Sequence, residues 1–364
     1  MTLELALLIA VLLYLSQVGV FIYGIRNTRD STSGKATPFV SVVIAARNEE
    51  QNLAECLQSV FRQTYPEEMY EVIVVDDGSS DRTPEICNEM GKGRGNFLSF
   101  TAREDVLLKG KTNALEQGIG RAHGEIVLIT DADCTVPTTW IEHTAKRFAP
   151  NVGIVGGMTL QKASGAFEGM QSLDWAYLLG LASATVALQN PLSTIGNNLS
   201  FRRAAYEDVG GFRKIPFSVT EDFMLFQAIV GTRKWEYLYP VDPNVLVLSK
   251  PCTTLNELAR QKQRWGKGGL DMKFSGFAIM VVGFLTHALI LLGLGFGAFL
   301  PAASAIMLKL IGDYAFLYQT LKRLERTDLL RYFYFFQAYY ILYVLLLPCA
   351  VFFGGKVKWK GRVY

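Results

Sequence analysis

Three kinds of hydrophobic pattern divide the chain. Residues 2–23 are almost continuously apolar with Glu4 the single charge, and about twenty such residues suffice to cross a bilayer as a helix. From Phe39 to about Leu248, short β-branched runs alternate with segments of helical period. Residues 40–45, 71–75 and 125–130 predict buried strands, and residues 52–61 and 112–122 predict amphipathic helices between them. That order predicts an α/β fold with a largely parallel sheet. After residue 275 the apolar runs lengthen again. Residues 276–297 and 298–318 have little between them and predict a tight membrane hairpin, and 332–353 predicts another span.

The polar stretches between these blocks set the expected boundaries: an N-terminal transmembrane helix over 1–24, an α/β domain over 38–250, an interfacial helix over 251–273, a membrane region over 276–353 and a basic tail over 354–364. Residues 27–38, rich in Ser, Thr, Gly and Asp and ending at Pro38, read as a linker. A cleaved signal peptide is the alternative for the first segment, but its start lacks a basic n-region. Arg26, Arg29 and Lys35 follow that segment while no basic residue precedes it, so the α/β domain is expected in the cytoplasm. Lys322, Arg323, Arg326 and Arg331 place the connector 319–331 there too. Four full spans would then leave the tail outside, against its Lys356, Lys358, Lys360 and Arg362. Either the last segment is re-entrant or one segment is not a full span. Within the apolar segments, Lys309 and Asp313 are four apart and are expected to pair, and His287 is expected to pack against a helix, with a lipid acceptor as the alternative neighbour.

Composition narrows the function classes. Half of the 364 residues are hydrophobic, which suits an integral membrane protein, and a net charge of +3 gives no case for a nucleic-acid partner. Cys56, Cys87, Cys134, Cys252 and Cys349 are odd in number and lack metal-ligand spacing, as expected of reduced thiols.

The chemistry gathers at strand ends. The run Glu125-Ile-Val-Leu-Ile-Thr-Asp-Ala-Asp133 stops at two carboxylates one residue apart. In an extended segment residues i and i+2 point the same way, so Asp131 and Asp133 can converge on one divalent cation. A strand followed by a solvated acidic turn would show the same pair. The first strand ends in Ala45-Ala46-Arg47-Asn48-Glu49-Glu50 and the second in Val75-Asp76-Asp77-Gly78-Ser79. Carboxylates on that sheet edge can accept hydrogen bonds from a base and from ribose hydroxyls; alone, Asp77-Gly78-Ser79 is also good turn chemistry. Asp222 follows Thr220-Glu221 and opens an apolar helical run, where it can serve as a base or simply cap the helix. Gln261, Arg264 and Trp265 share one face of a helix over about 254–265. Arg can fork onto phosphate and Trp can stack on a ring, although a basic helix of this kind also suits a membrane surface. Gly266, Gly268 and Gly269 offer a loose hinge after it. Residues 170–188 are expected to form an interfacial or core helix rather than a span.

Taken in order, Ala46-Arg47-Asn48-Glu49-Glu50, Val75-Asp76-Asp77-Gly78-Ser79, Asp131-Ala132-Asp133, Thr220-Glu221-Asp222 and Gln261-Lys262-Gln263-Arg264-Trp265 resemble the inverting family 2 glycosyltransferases with a GT-A fold. The likeness is to the membrane-bound branch that includes ceramide glucosyltransferases and polysaccharide synthases, and it covers about residues 38–270. It implies a GT-A α/β domain with a mixed, mostly parallel sheet, joined to transmembrane helices. Residue by residue, it implies a nucleotide-sugar site of Ala45, Arg47, Glu49, Asp76, Asp77, Lys111, Asp131, Ala132, Asp133, Glu221, Gln261, Arg264 and Trp265. Asp76 or Asp77 would contact the uracil or ribose. Asp131 and Asp133 would hold Mg2+ or Mn2+ and the diphosphate, and Asp222 would be the catalytic base. Gly196-Asn197-Asn198-Leu199-Ser200-Phe201-Arg202-Arg203 resembles the segment lining the acceptor side, and is otherwise a Gly-Asn turn between two strands.

The expected activity is transfer of a sugar from a UDP-sugar donor to a membrane lipid at the cytoplasmic face, in a bacterial inner membrane rather than an internal eukaryotic one. A processive polysaccharide synthase is the alternative. A catalytically inactive nucleotide-sugar-binding subunit is a third, opposed by the full set of carboxylates. The sequence identifies no protein partner.

Overall fold

The structure, a computed structural model, describes residues 2–29, 37–355, 358–359 and 362–363. Lys35 of the expected linker, and Lys356 and Lys360 of the expected tail, lie outside the described residues.

The apolar runs assemble a mixed seven-stranded sheet. β1 (Val40–Ala46), β2 (Tyr70–Asp76), β3 (Phe97–Thr101) and β4 (Ile126–Asp131) are parallel in the order β3-β2-β1-β4. Further along come β5 (Cys134–Thr135), β6 (Val152–Gly156), β7 (Thr159–Gln161), β8 (Leu199–Arg202), β9 (Glu236–Leu238) and β10 (Val247–Ser249). β8 pairs antiparallel with β4, and β6 and β9 complete the sheet; β5, β10 and β7 form a small second sheet. β1 and β4 are apolar on both faces because helices cover both sides.

The helices are α1 (Leu3–Arg26), α2 (Leu53–Phe61), α3 (Thr83–Gly91), α4 (Gly110–Ile119), α5 (Trp140–Ala145), α6 (Ala166–Ala187), α7 (Arg203–Asp208), α8 (Gly211–Lys214), α9 (Glu221–Gly231), α10 (Leu255–Gly268), α11 (Phe274–Gly295), α12 (Phe299–Arg323) and α13 (Phe333–Phe352). One core joins the sheet face bearing Val43, Ile73 and Val127 through Leu173 and Ala182 of α6 to Val18 and Phe21 of α1 and Phe316 of α12. α6 is thus a core helix seated between the sheet and the apolar helices. Its small residues allow close crossing. A Cβ on Gly24 of α1 would lie 2.6 Å from the Ala184 carbonyl oxygen, and one on Gly180 would lie 3.0 Å from Thr320 Oγ1.

Among the described residues, four helices are long and apolar enough to cross a membrane: α1, α11, α12 and the stretch Thr327–Phe352 that contains α13. Lys309 Nζ lies 2.9 Å from Asp313, which also accepts from Tyr14 (2.6 Å) and from Gln337 (2.9 Å). Charges this deep in an apolar bundle persist because they are paired. His287 is buried against the rings of Tyr14 and Tyr340.

α13 begins against α6 of the α/β domain and ends against α10. Tyr332, just before it, covers Gly169 at the start of α6, where an added Cβ would strike the ring at 2.1 Å. At its other end Leu347 and Val351 pack on Gly266 of α10. The Gly355 carbonyl then accepts from Gln263 Nε2 (3.1 Å) and Lys267 Nζ (2.6 Å). Contacts at both ends are what a segment entering and leaving on one side would make. A cysteine introduced at Gly355, where a side chain has open space, should therefore react with an impermeant maleimide from the same membrane face as one introduced at exposed Glu68. Labelling from opposite faces would make α13 a full span.

α10 is fixed to α6 by a buried ion pair between Lys262 Nζ and Asp174 Oδ2. The same ammonium lies 4.2 Å from the Trp265 ring centroid and 5.1 Å from that of Tyr343 in α13. Burial lifts the Asp174 carboxyl above the usual carboxylate range, against the pull of Lys262. Removing one member of such a pair strands the other charge. Lys262→Met should lower unfolding stability by about 3–5 kcal/mol, and adding Asp174→Leu should restore most of it, as read by denaturation in detergent.

Candidate functional site

Strand register builds the floor of the site. Ala46 stands opposite Asp76 and Ala45 opposite Asp131, so the polar ends of β1, β2 and β4 fall on one edge of the sheet. β8 arrives antiparallel to β4 and brings the turn Gly196–Asn198 to the same edge. Thr130 Oγ1 donates to the Asn197 carbonyl (3.0 Å). The Asn198 amide donates to the carbonyls of Met158 and Val245 and accepts from Trp140 Nε1. With both asparagines holding the turn, Gly196 is pressed against Asp222. A Cβ there would come within 2.9 Å of Asp222 Cβ and 3.0 Å of its Oδ2. Asn198 holds the turn, Asn197 both holds it and lines the cleft at its edge, and glycine is required for the approach of the carboxylate.

A cavity of about 160 Å3 opens on this edge. Ala45, Glu49, Lys111, Asp131, Ala132, Asp133, Glu221, Asp222, Gln261, Arg264 and Trp265 all line it. Arg47 and Asp77 line an adjoining cavity beside Gly110 and Asn113 of α4, where the Arg47 guanidinium donates to the Asp77 carbonyl (2.5 Å). Asp76 lines neither; its carboxylate accepts from the Ser79 N–H (3.1 Å) and shapes the turn at Gly78, whose φ is +72°. The sequence-predicted residues thus divide into a central cleft, a neighbouring hollow and one turn-forming carboxylate.

One ammonium organises the charges of the cleft. Lys111 Nζ is 2.6 Å from Asp131 Oδ1 and 3.3 Å from Glu221 Oε1. Burial alone would lower its pKa, but the carboxylates of Asp131, Glu221 and Asp222 outweigh that and hold it above the usual lysine range. Asp222 is lifted to about 6, first by burial and then by the Glu221 carboxylate, with Lys111 and Arg264 pulling the other way. It sits in the first turn of α9 and accepts from the Phe223 N–H (2.8 Å). The Thr220 side chain makes no capping bond, so Thr220 does not close the helix end in place of Asp222.

Among the described residues no three His, Cys, Asp or Glu side chains cluster to hold a metal unaided. Two carboxylates still fit Mg2+ or Mn2+, which keep several positions for phosphate oxygens and water. The Lys111 ammonium on Asp131 shows that the site already favours a cation.

The motif helix closes the cleft from the side of α13. The Trp265 ring packs on that of Trp175 at 5.2 Å between centroids. α10 continues through Gly266 to Gly268, so these glycines are not a loose hinge. They permit close approach instead, since a Cβ on Gly268 would lie 2.4 Å from Thr220 Oγ1, two residues before Asp222. Sequence reasoning missed five lining residues, Trp175, Ile195, Val219, Ser249 and Lys250. Trp175 lies in an apolar run that carries no motif. Lys250 follows a short strand, and its Nζ donates to Asn52 (3.1 Å). Trp175 Nε1 and Gln261 Oε1 are buried without a hydrogen-bond partner, one donor and one acceptor on the wall of the cleft. Buried polar atoms of this kind call for a partner, and sugar hydroxyls supply both roles.

Comparison with known proteins agrees with this geometry. Residues 41–210 match the model of Glycosyl transferase family 2, and residues 126–354, more than half of the chain, match that of Glycosyl transferase family group 2. The chain is 29% identical over 244 residues to the poly-beta-1,6-N-acetyl-D-glucosamine synthase of Staphylococcus epidermidis, covering 65% of this chain and 56% of that protein. It is 30% identical over 240 residues to the beta-monoglucosyldiacylglycerol synthase of Trichormus variabilis, covering 64% and 49%. It is 33% identical over 239 residues to glycosyltransferase AglE of Haloferax volcanii, covering 65% and 74%. The chain thus spans about half the length of the first two relatives. In fold it is similar to the mannosyltransferase PcManGT of Pyrobaculum calidifontis, solved with GDP-Man and Mn2+, with a TM-score of 0.61, 19% identity and coverage of 96% of this chain and 99% of that one. With the GT-A sheet and the carboxylate cleft in place, these matches make the chain a glycosyltransferase of family 2.

Proposed function

We propose that the enzyme transfers one sugar, with inversion, from a UDP-sugar to the hydroxyl of a membrane lipid at the cytoplasmic face of a bacterial membrane. The observation that carries this reading is the double role of α10: Trp265 lines the cleft, and the next residue, Gly266, packs on Leu347 and Val351 of α13. The cleft therefore adjoins the apolar helices directly.

In the reaction, Asp222 accepts the proton of the acceptor hydroxyl as its oxygen bonds to the anomeric carbon. The bond from that carbon to the diphosphate breaks on the opposite face, and the nucleoside diphosphate leaves with the electron pair. Lys111 and Arg264 place positive charge near the departing oxygens. Asp131 and Asp133 would hold Mg2+ or Mn2+, whose contribution is to neutralise diphosphate charge. Arg47 and Asp77 offer the adjoining hollow to the nucleoside, and Trp175 and Gln261 offer a donor and an acceptor to the sugar.

Two readings of the acceptor compete among the relatives. The synthase of Trichormus variabilis is named for a glucosyl diacylglycerol, and that of Staphylococcus epidermidis for a polymer. Incubating the purified enzyme with radiolabelled UDP-sugars and membrane lipid should yield a product with a single sugar that extracts into organic solvent. A water-soluble ladder lacking any lipid-linked monosaccharide would select the processive reading instead.

The base role is tested separately. Asp222→Asn keeps the shape of the side chain, so donor affinity should stay nearly constant while kcat falls by about 100- to 10,000-fold. A base works only when deprotonated. In the wild type, kcat/KM should therefore rise with pH and level off above about 6; the residual activity of the variant should lack that limb. An equal loss of donor binding would remove Asp222 from the role.

A further inference from the structure

Beneath the motif helix, α1, α6, α11 and α13 enclose a second cavity of about 400 Å3, lined largely by apolar side chains such as Leu181, Phe277, Met280, Val344, Leu347 and Val351. Of the four tyrosines on its wall, Tyr14 and Tyr177 turn their hydroxyls to one another and to α12. Tyr14 donates to Asp313 (2.6 Å), and the Tyr177 hydroxyl lies 3.0 Å from that of Tyr14. Apolar side chains make up most of the wall, so the cavity suits a hydrocarbon chain better than a polar headgroup.

The position of the cavity singles out one such chain. Its wall at Leu347 and Val351 is the surface that presses on Gly266, directly after Trp265. Its Tyr343 shares the Lys262 ammonium with the Trp265 ring. One layer of side chains thus separates an apolar groove open to the bilayer from the cleft that holds Asp222. We infer that this groove seats a hydrocarbon chain of the acceptor lipid and so delivers its hydroxyl past Trp265 to the base. The inference rests on the lipid reading of the acceptor. A chain in the bilayer is already surrounded by hydrocarbon, so the groove adds packing and position rather than a hydrophobic gain. Its effect belongs in the apparent affinity for the acceptor and not in donor chemistry.

The test uses the full chain in lipid nanodiscs, with a total lipid extract of the producing cells as the acceptor pool, diluted into phosphatidylcholine, and radiolabelled UDP-sugar as donor. Met280→Trp on α11 and Val344→Trp on α13 fill the groove from two sides. Leu285→Trp, on the exposed surface of α11, is the control. The two groove variants should raise the apparent KM for the extract by about tenfold, with kcat, UDP-sugar hydrolysis and melting temperature unchanged, and the control should match the wild type. Benzoylphenylalanine placed at Met280, and not at Leu285, should crosslink to the radiolabelled glycolipid, which keeps the test open if a tryptophan variant fails to fold. If the wild type glycosylates lipid while both groove variants keep its KM and Met280 captures no product, the groove holds bulk lipid only and the inference is overturned. A wild type that links no sugar to any lipid would overturn the acceptor reading and the groove with it.

Discussion

The placement of Lys111 among carboxylates is the constraint on which the site depends. The parallel register of β1, β2 and β4 forces acidic strand ends onto one edge, and α9 adds Glu221 and Asp222 from across the cleft. Bringing like charges together in a half-buried cleft is unfavourable unless a cation stands between them. Lys111, projecting from the first turn of α4, touches Asp131 on one side and Glu221 on the other. Its charge lets the cleft exist before substrate arrives, and leaves Asp222 near the pKa at which a base is useful around neutral pH.

A second arrangement of the same kind lies one helix away. Asp174 belongs to the wall of the α/β domain and Lys262 to the motif helix, while the rings of Trp265 and Tyr343 flank the ammonium. Trp175, next to Asp174, meets Trp265. Ion pair and ring contact together set the angle at which α10 crosses α6. The side of that helix that lines the cleft and the side that meets α13 are therefore fixed by one set of contacts.

The parts of the fold legible in the sequence are those whose signal is local. The runs in β1, β2 and β4 are nearly pure β-branched and aliphatic residues, and they end at dense polar clusters, so both strand and edge could be read. Lys309 with Asp313 was legible because helical spacing alone brings them together. β3 was missed because its side chains are only partly covered and its pattern is correspondingly faint. Trp175, Lys250 and the partnership of Asp174 with Lys262 depend on elements distant in the chain meeting in space, which no spacing encodes. Gly266 and Gly268 were misread for the same reason. A glycine required by a neighbour's side chain looks, in sequence, like a glycine placed for flexibility. The contacts at the two ends of α13 could not be read, because length and apolarity describe a segment that could cross a bilayer and not what its ends meet.

The core that runs from the sheet through α6 into α1 and α12 bears on how such an enzyme can be divided. The lower face of α6 has no polar alternative to the helices it rests on: Gly180, Ala184 and their neighbours are shaped to receive Thr320 and Gly24. A fragment cut at residues 38 and 250 would retain every carboxylate of the cleft and still expose that face to water. Motif boundaries and folding boundaries differ here. Recombination that exchanged the sugar-transferring half of this chain for that of a relative would have to carry α1 and α12 with it, or replace the underside of one helix.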